Sequence, residues 1–187
     1  MSMNPTVRVL SLAAAAGLAI AALTGCSNSA SASGSSASAS AAAGVTKLAN
    51  INTACASGVK VVIEYGAIGH SPEASCVAVT GSQSVSSVLS KAGIKVDGTP
   101  KYGDALVCRL NGLPAADEAV AVKGKPNYTE TCADNTPMTY YWYMYTKDSA
   151  SGAWTPAEKG VKDQQISAGQ QVDFVYTTAT EVPTATN

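Results

Sequence analysis

The sequence predicts an α+β module, a mixed sheet packed on one helix, preceded by a disordered Ser/Ala tether. Three observations carry this. Several short runs have the apolar, β-branched or aromatic character of strands; one segment alone has good helical periodicity; and a stretch of almost nothing but Ser and Ala separates them from an apolar N-terminus. The 187 residues are 46% apolar and 13% charged, which suits one globular domain. With 12 basic and 13 acidic side chains there is no net basic field, so electrostatic nucleic-acid binding is disfavoured. His70 is the single histidine, which excludes a multi-histidine metal centre.

Residues 1–25 read as an export signal. Arg8 gives a thin positive start, and Val9 to Leu23 is an apolar stretch shorter than a membrane span requires. It ends on Leu23-Thr24-Gly25-Cys26, a lipobox pattern in which Cys26 is lipidated and becomes the new N-terminus. Cleavage there removes one cation and leaves 11 basic against 13 acidic groups. Two or three acyl chains on Cys26 would anchor the protein stably, since one chain alone binds only marginally. The expected location is the extracytoplasmic face of the cell membrane, lipid-anchored. Residues 26–44 form the lipidated Cys and linker; nothing in Ser27 to Ala43 is large enough to bury, so the chain there stays disordered. Such a coil spans on the order of 20–25 Å.

The folded module is expected over residues 45–178, with 179–187 as a disordered tail. Val59 to Tyr65 is a β-branched run, and Ala74 to Thr80 reads as its antiparallel partner across a Gly/Pro loop. Ser82 to Ala92 is the helix: Ser82 or Ser84 can cap it, and Val85, Val88, Leu89 and Ala92 share one face. Gly93 stands where a left-handed C-terminal residue is wanted. Ala105 to Leu110 is a third strand ending on Asn111-Gly112, a turn signal. Leu113 to Pro137 looks like an excursion, Tyr140 to Tyr145 is an aromatic strand, Trp154 starts a short one, and Gln171 to Thr177 closes the sheet. This order, β-β-α-β-β-β, matches a β-grasp arrangement, in which a mixed sheet wraps one helix.

Residue patterns extend that match. Ser84 to Gly93, the turn Asn111-Gly112, the aromatic strand Tyr140–Tyr145 and the closing segment Ile166 to Tyr176 together resemble the transcobalamin-like C-terminal domain family. Val107-Cys108-Arg109-Leu110-Asn111-Gly112-Leu113-Pro114 is similar to a segment of its secreted actinobacterial members, most of which have no established role. The resemblance covers roughly Val59 to Tyr176. It implies a β-grasp fold and recognition of a small ligand, cobalamin-like or other, because vertebrate relatives use this module to cover a bound corrinoid.

Apart from Cys26 the chain holds Cys55, Cys76, Cys108 and Cys132, an even number for an exported protein. Four cysteines allow three pairings, which sequence cannot separate. Topology prefers Cys55–Cys76, joining the approach to the first strand with its hairpin partner, and Cys108–Cys132, bracketing the excursion. Neither spacing resembles zinc-ligand pairs, and no metal is expected.

Five of the eleven aromatic side chains fall in Tyr140–Tyr145. Alternation turns Tyr141, Tyr143 and Tyr145 to one side as the candidate ligand-binding set, and Tyr140, Trp142 and Met144 to the other. Exposed Tyr and Trp suit flat ligands or peptides, while burial on both faces would make the strand core alone. His70 with Glu73 and Asp104 with Arg109 are conceivable acid–base pairs without a supporting pattern. The expectation is therefore a non-enzymatic lipoprotein without cofactor, binding a small ligand on the aromatic strand. The alternative is an envelope protein–protein interaction module.

Overall fold

In the computed structural model, residues 44–121, 126–133, 140–177 and 182–186 are described. Residues 1–43, on which the expected export signal, the lipidated Cys26 and the tether fall, and residues 178–181 lie outside them. The elements run β1 (Val45–Lys47), β2 (Val59–Glu64), a 3-10 turn (Gly66–Ile68), β3 (Glu73–Val77), β4 (Gln83–Ser84) and α1 (Val85–Lys91). Then follow β5 (Val96–Thr99), β6 (Gly103–Leu110), β7 (Ala119–Val120), β8 (Tyr128–Thr129), β9 (Tyr141–Lys147), β10 (Thr155–Pro156), β11 (Gln165–Ile166) and β12 (Gln171–Thr177). The fold is mostly strand with one α-helix, compatible with the α+β class.

A six-stranded sheet in the order β1-β3-β2-β12-β9-β10 forms the body. Its central pair, β2 and β12, is parallel, and the remaining pairs are antiparallel. Every residue of β2 and β12 is buried, as central strands covered on both faces should be. On the near face Val59, Val61 and Ile63 of β2 and Val172, Phe174 and Tyr176 of β12 share one core with Val85, Val88 and Leu89 of α1. That heptad-like spacing puts three fully buried side chains on one stripe of a short helix. Ser84 caps it by accepting from Ser87 N at 3.3 Å, and Gly93 takes the left-handed conformation (φ 73°) just beyond its end. The backbone N–H groups of Val85 and Ser86 are also satisfied, by the carbonyls of Gln164 and Val161.

The excursion after Asn111-Gly112 closes the near face. Leu113, Val120 and Tyr128 pack on the same core, and Trp142 Nε1 donates to Leu113 O at 3.2 Å. Two disulfides, Cys55–Cys76 and Cys108–Cys132, have Cα separations of 5.3 and 5.5 Å. The first ties the loop before β2 to β3, and the second ties β6 to the end of the excursion.

The far face departs from expectation. The tail read from sequence as disordered is instead docked where it is described, over residues 182–186. Glu64 accepts from Thr184 N (2.7 Å), Thr184 Oγ1 (2.6 Å) and Ala185 N (3.1 Å). Trp154 Nε1 donates to Ala185 O and Lys147 Nζ to Thr186 O, at 2.8 and 3.0 Å. Ala185, buried, packs with Val62 and Ala74 beside Leu48, Ile51 and Trp154. Composition misled here because the strap is held mostly through its backbone, which any sequence offers, with the Thr184 and Thr186 hydroxyls adding to it. Of the described residues, no helix is long and apolar enough to cross a membrane.

Candidate functional site

Two features of the sheet stand out: a groove beside the aromatic strand and a buried polar patch on the far face. The groove begins with β9. Along its inner edge β9 pairs with β12 over seven residues, but along its outer edge β10 pairs only with Tyr145 and Thr146. Beyond these, Ala157 N donates to Met144 O at 2.9 Å, and no strand of the described residues pairs with the edge from Tyr141 to Tyr143. A groove of about 280 Å³ lies there, between Ala105–Val107 on one side and Ala157–Val161 on the other. Tyr141, Trp142, Tyr143 and Met144 line it, and Phe174 reaches it from β12. Gly160 keeps the walls close: a Cβ there would stand 2.7 Å from Ala105 O. Glu158 and Lys159 are exposed at its rim.

The three candidate tyrosines form a ladder, with ring centroids 5.5 Å apart from Tyr141 to Tyr143 and 5.0 Å from Tyr143 to Tyr145. Tyr141 and Tyr143 are half-buried, and partial burial, then the neighbouring Tyr143, raises the Tyr141 phenol above its ordinary pKa. Tyr145 is different. It is 5% exposed, lying in register between buried Asp173 and Pro156 of β10, so the assignment of Tyr145 to a ligand-binding face is corrected to core. Trp142, at 6%, is core as alternation requires, while its edge reaches the groove.

The imagined acid–base pairs are not assembled. Glu73 binds Lys47 at 2.8 Å and accepts from Tyr65 OH at 2.7 Å; Lys47 holds its carboxyl below the usual range. His70 instead lies 3.9 Å from Glu118 Oε1 and 5.5 Å from the Tyr65 ring. Asp104 faces Lys162 at 3.6 Å. Arg109 is a brace: its Nε donates to Pro114 O (2.7 Å), Nη2 to Glu130 O (2.6 Å) and Nη1 to Cys132 Sγ. Cys108, Cys132 and Glu130 cluster closely enough to suggest a metal, but both sulfurs are committed to the disulfide and are not thiolate ligands.

The polar patch was not anticipated. Lys60, Glu64, Lys147, Gln171 and Asp173 all point to the far face and all are buried. Lys60 aligns with Gln171 and Gln171 with Lys147, while Val62 aligns with Asp173. Burial lowers the Lys60 pKa, with Lys147 adding to the effect. Burial, then the neighbouring Glu64, pushes the Asp173 carboxyl well above the usual range. The available signal was parity: within the two most apolar strands the charged residues Lys60, Glu64 and Asp173 all fall on the same face.

No family model, curated protein or solved structure matches the chain.

Proposed function

We propose that this protein is a lipid-anchored, extracytoplasmic binding module that takes a small flat ligand without turnover on the groove beside β9. The strand order β1-β3-β2-β12-β9-β10, with β2 and the last strand β12 parallel at the centre and the helix on one face, supports a β-grasp reading of the fold. The observation that carries the function is the groove itself. Tyr141 and Tyr143 present partly exposed side chains on β9, next to apolar walls with one acid and one base at the rim. Its volume, near the lower end for small-molecule sites, suits a flat group laid against the rings, such as one edge of a corrinoid, better than an engulfed ligand. The outer edge from Tyr141 to Tyr143, unpaired by any strand of the described residues, also favours a second reading, in which an extended segment of an envelope protein adds there as a strand.

A photo-crosslinking residue at position 143 of the full-length chain in its own membrane tests both. Position 102, whose tyrosine is 47% exposed and does not line the groove, is the control. A discrete small-mass adduct at 143 alone supports the ligand reading, and a discrete protein adduct supports the second. No adduct above the control overturns both. The anchor is tested by Cys26→Ala, which should abolish incorporation of labelled fatty acid; undiminished label would refute lipidation there.

A further inference from the structure

Lys60 is 1% exposed and Asp173 0%, yet neither Lys60 Nζ nor either Asp173 carboxylate oxygen meets a partner in good hydrogen-bond geometry among the described residues, with Glu64 and the Phe174 backbone beside the Asp173 carboxyl. Orphaned buried polar groups are costly, and an unpaired buried charge more so. Here an amine and a carboxyl are orphaned together on neighbouring strands. In the parallel pairing Lys60 stands opposite Gln171 and Val62 opposite Asp173, so Asp173 is one diagonal from Lys60 and the other from Glu64. Diagonal neighbours lie roughly 7–8 Å apart at Cα, within reach of a lysine side chain. Burial lowers the Lys60 pKa and raises that of Asp173, each shift opposed by the attraction between the two, so burial draws the pair toward a free amine beside a protonated carboxyl. Those are the two forms that condense.

We propose that Lys60 and Asp173 join in an intramolecular amide, with Glu64 as the proton carrier. The Lys60 nitrogen attacks Asp173 Cγ, forming the C–N bond while the carbonyl electron pair moves onto oxygen. Glu64 takes a proton from the nitrogen and delivers it to the departing hydroxyl. The carbonyl re-forms, the C–O bond breaks, and one water leaves. Nothing is oxidised or reduced, and Glu64 ends as it began. Its carboxylate is fixed by three bonds to Thr184 and Ala185, two on Oε1 and one on Oε2, which leaves Oε2 a lone pair for this duty. Strand pairing holds the reactants together, and their burial excludes water, which would otherwise favour hydrolysis. The product is neutral and resolves both orphans at once. It would staple the two central strands of the sheet.

The test is peptide mapping of the full chain taken from its membrane, reduced, alkylated and digested with trypsin. The expected result is a branched peptide joining the Lys60 and Asp173 segments, lighter by one water than the two together, with no cleavage after Lys60 in most chains. Asp173→Asn should give the identical branched product, now by loss of ammonia. Lys60→Arg, which keeps the charge but not the nucleophile, should give none. Glu64→Gln should slow the reaction by about 100-fold, the share general acid–base catalysis commonly supplies. Trypsin cleavage after Lys60 in most wild-type chains, with an unbranched Asp173 peptide, would overturn the proposal whatever the variants do.

Discussion

Trp142→Ala is expected to lower the unfolding free energy by about 3–5 kcal/mol in urea titrations, the usual cost of emptying an aromatic core site. The indole is buried, with its ring centroid 5.2 Å from Tyr176 and 5.7 Å edge-on from Tyr65. Truncation would also strand the Leu113 carbonyl that Nε1 now satisfies, loosening the start of the excursion. The neighbouring Tyr141→Ala and Tyr143→Ala, one residue to either side, should each cost roughly 1 kcal/mol, since both side chains are only partly buried. The contrast is the diagnostic. A loss from the tyrosine pair equal to that of Trp142→Ala would make β9 a core strand throughout and remove the recognition groove.

Glu64→Ala should release the C-terminal strap. Three bonds converge on this carboxylate, and bonds to a charged group are worth about 1.5–3 kcal/mol each, without simple additivity. A net loss of about 3 kcal/mol corresponds to on the order of 100-fold less amide-exchange protection over residues 184–186. Exchange measured by mass spectrometry on wild type and variant reads this directly. Unchanged protection in the variant would mean that Trp154, Lys147 and Asn52 hold the strap by themselves.

Much of the body was legible because its elements carry one dominant period. Val59–Glu64 is a β-branched run, Gln171–Thr177 alternates on a strong apolar background, and Val85, Val88 and Leu89 recur at helical spacing. The disulfides follow from topology once those elements are placed. The two-residue strands β4, β7, β8, β10 and β11 have too few residues to show a period, although Trp154 marked the approach to β10. β5 was missed because Asp97 and Gly98 break its apolar pattern, and its pairing with β6 shifts register at that point. The far face was misjudged for a different reason. Polar residues alternating in a strand normally face water, so Lys60 and Asp173 carried no warning of burial. A distant segment covers that face: Ala185 of the strap packs on Val62, between Lys60 and Glu64, and its docking leaves no mark in composition. Tyr145, which alternation put beside Tyr143, is buried in register between Asp173 and Pro156 of β10, a pairing that the period of one strand does not reveal.

Tyrosine nitration, mapped by peptide mass on the purified chain and on the chain in intact membranes, tests the recognition groove most directly. In the purified protein Tyr141, Tyr143 and Tyr102 should react, while Tyr140, Tyr145 and Tyr176, all buried, should not. In the membrane, Tyr141 and Tyr143 should become protected by whatever occupies the groove, with Tyr102 reacting as before. Equal nitration of Tyr141 and Tyr143 in both settings, or Tyr145 reacting as fast as Tyr102, would contradict the account.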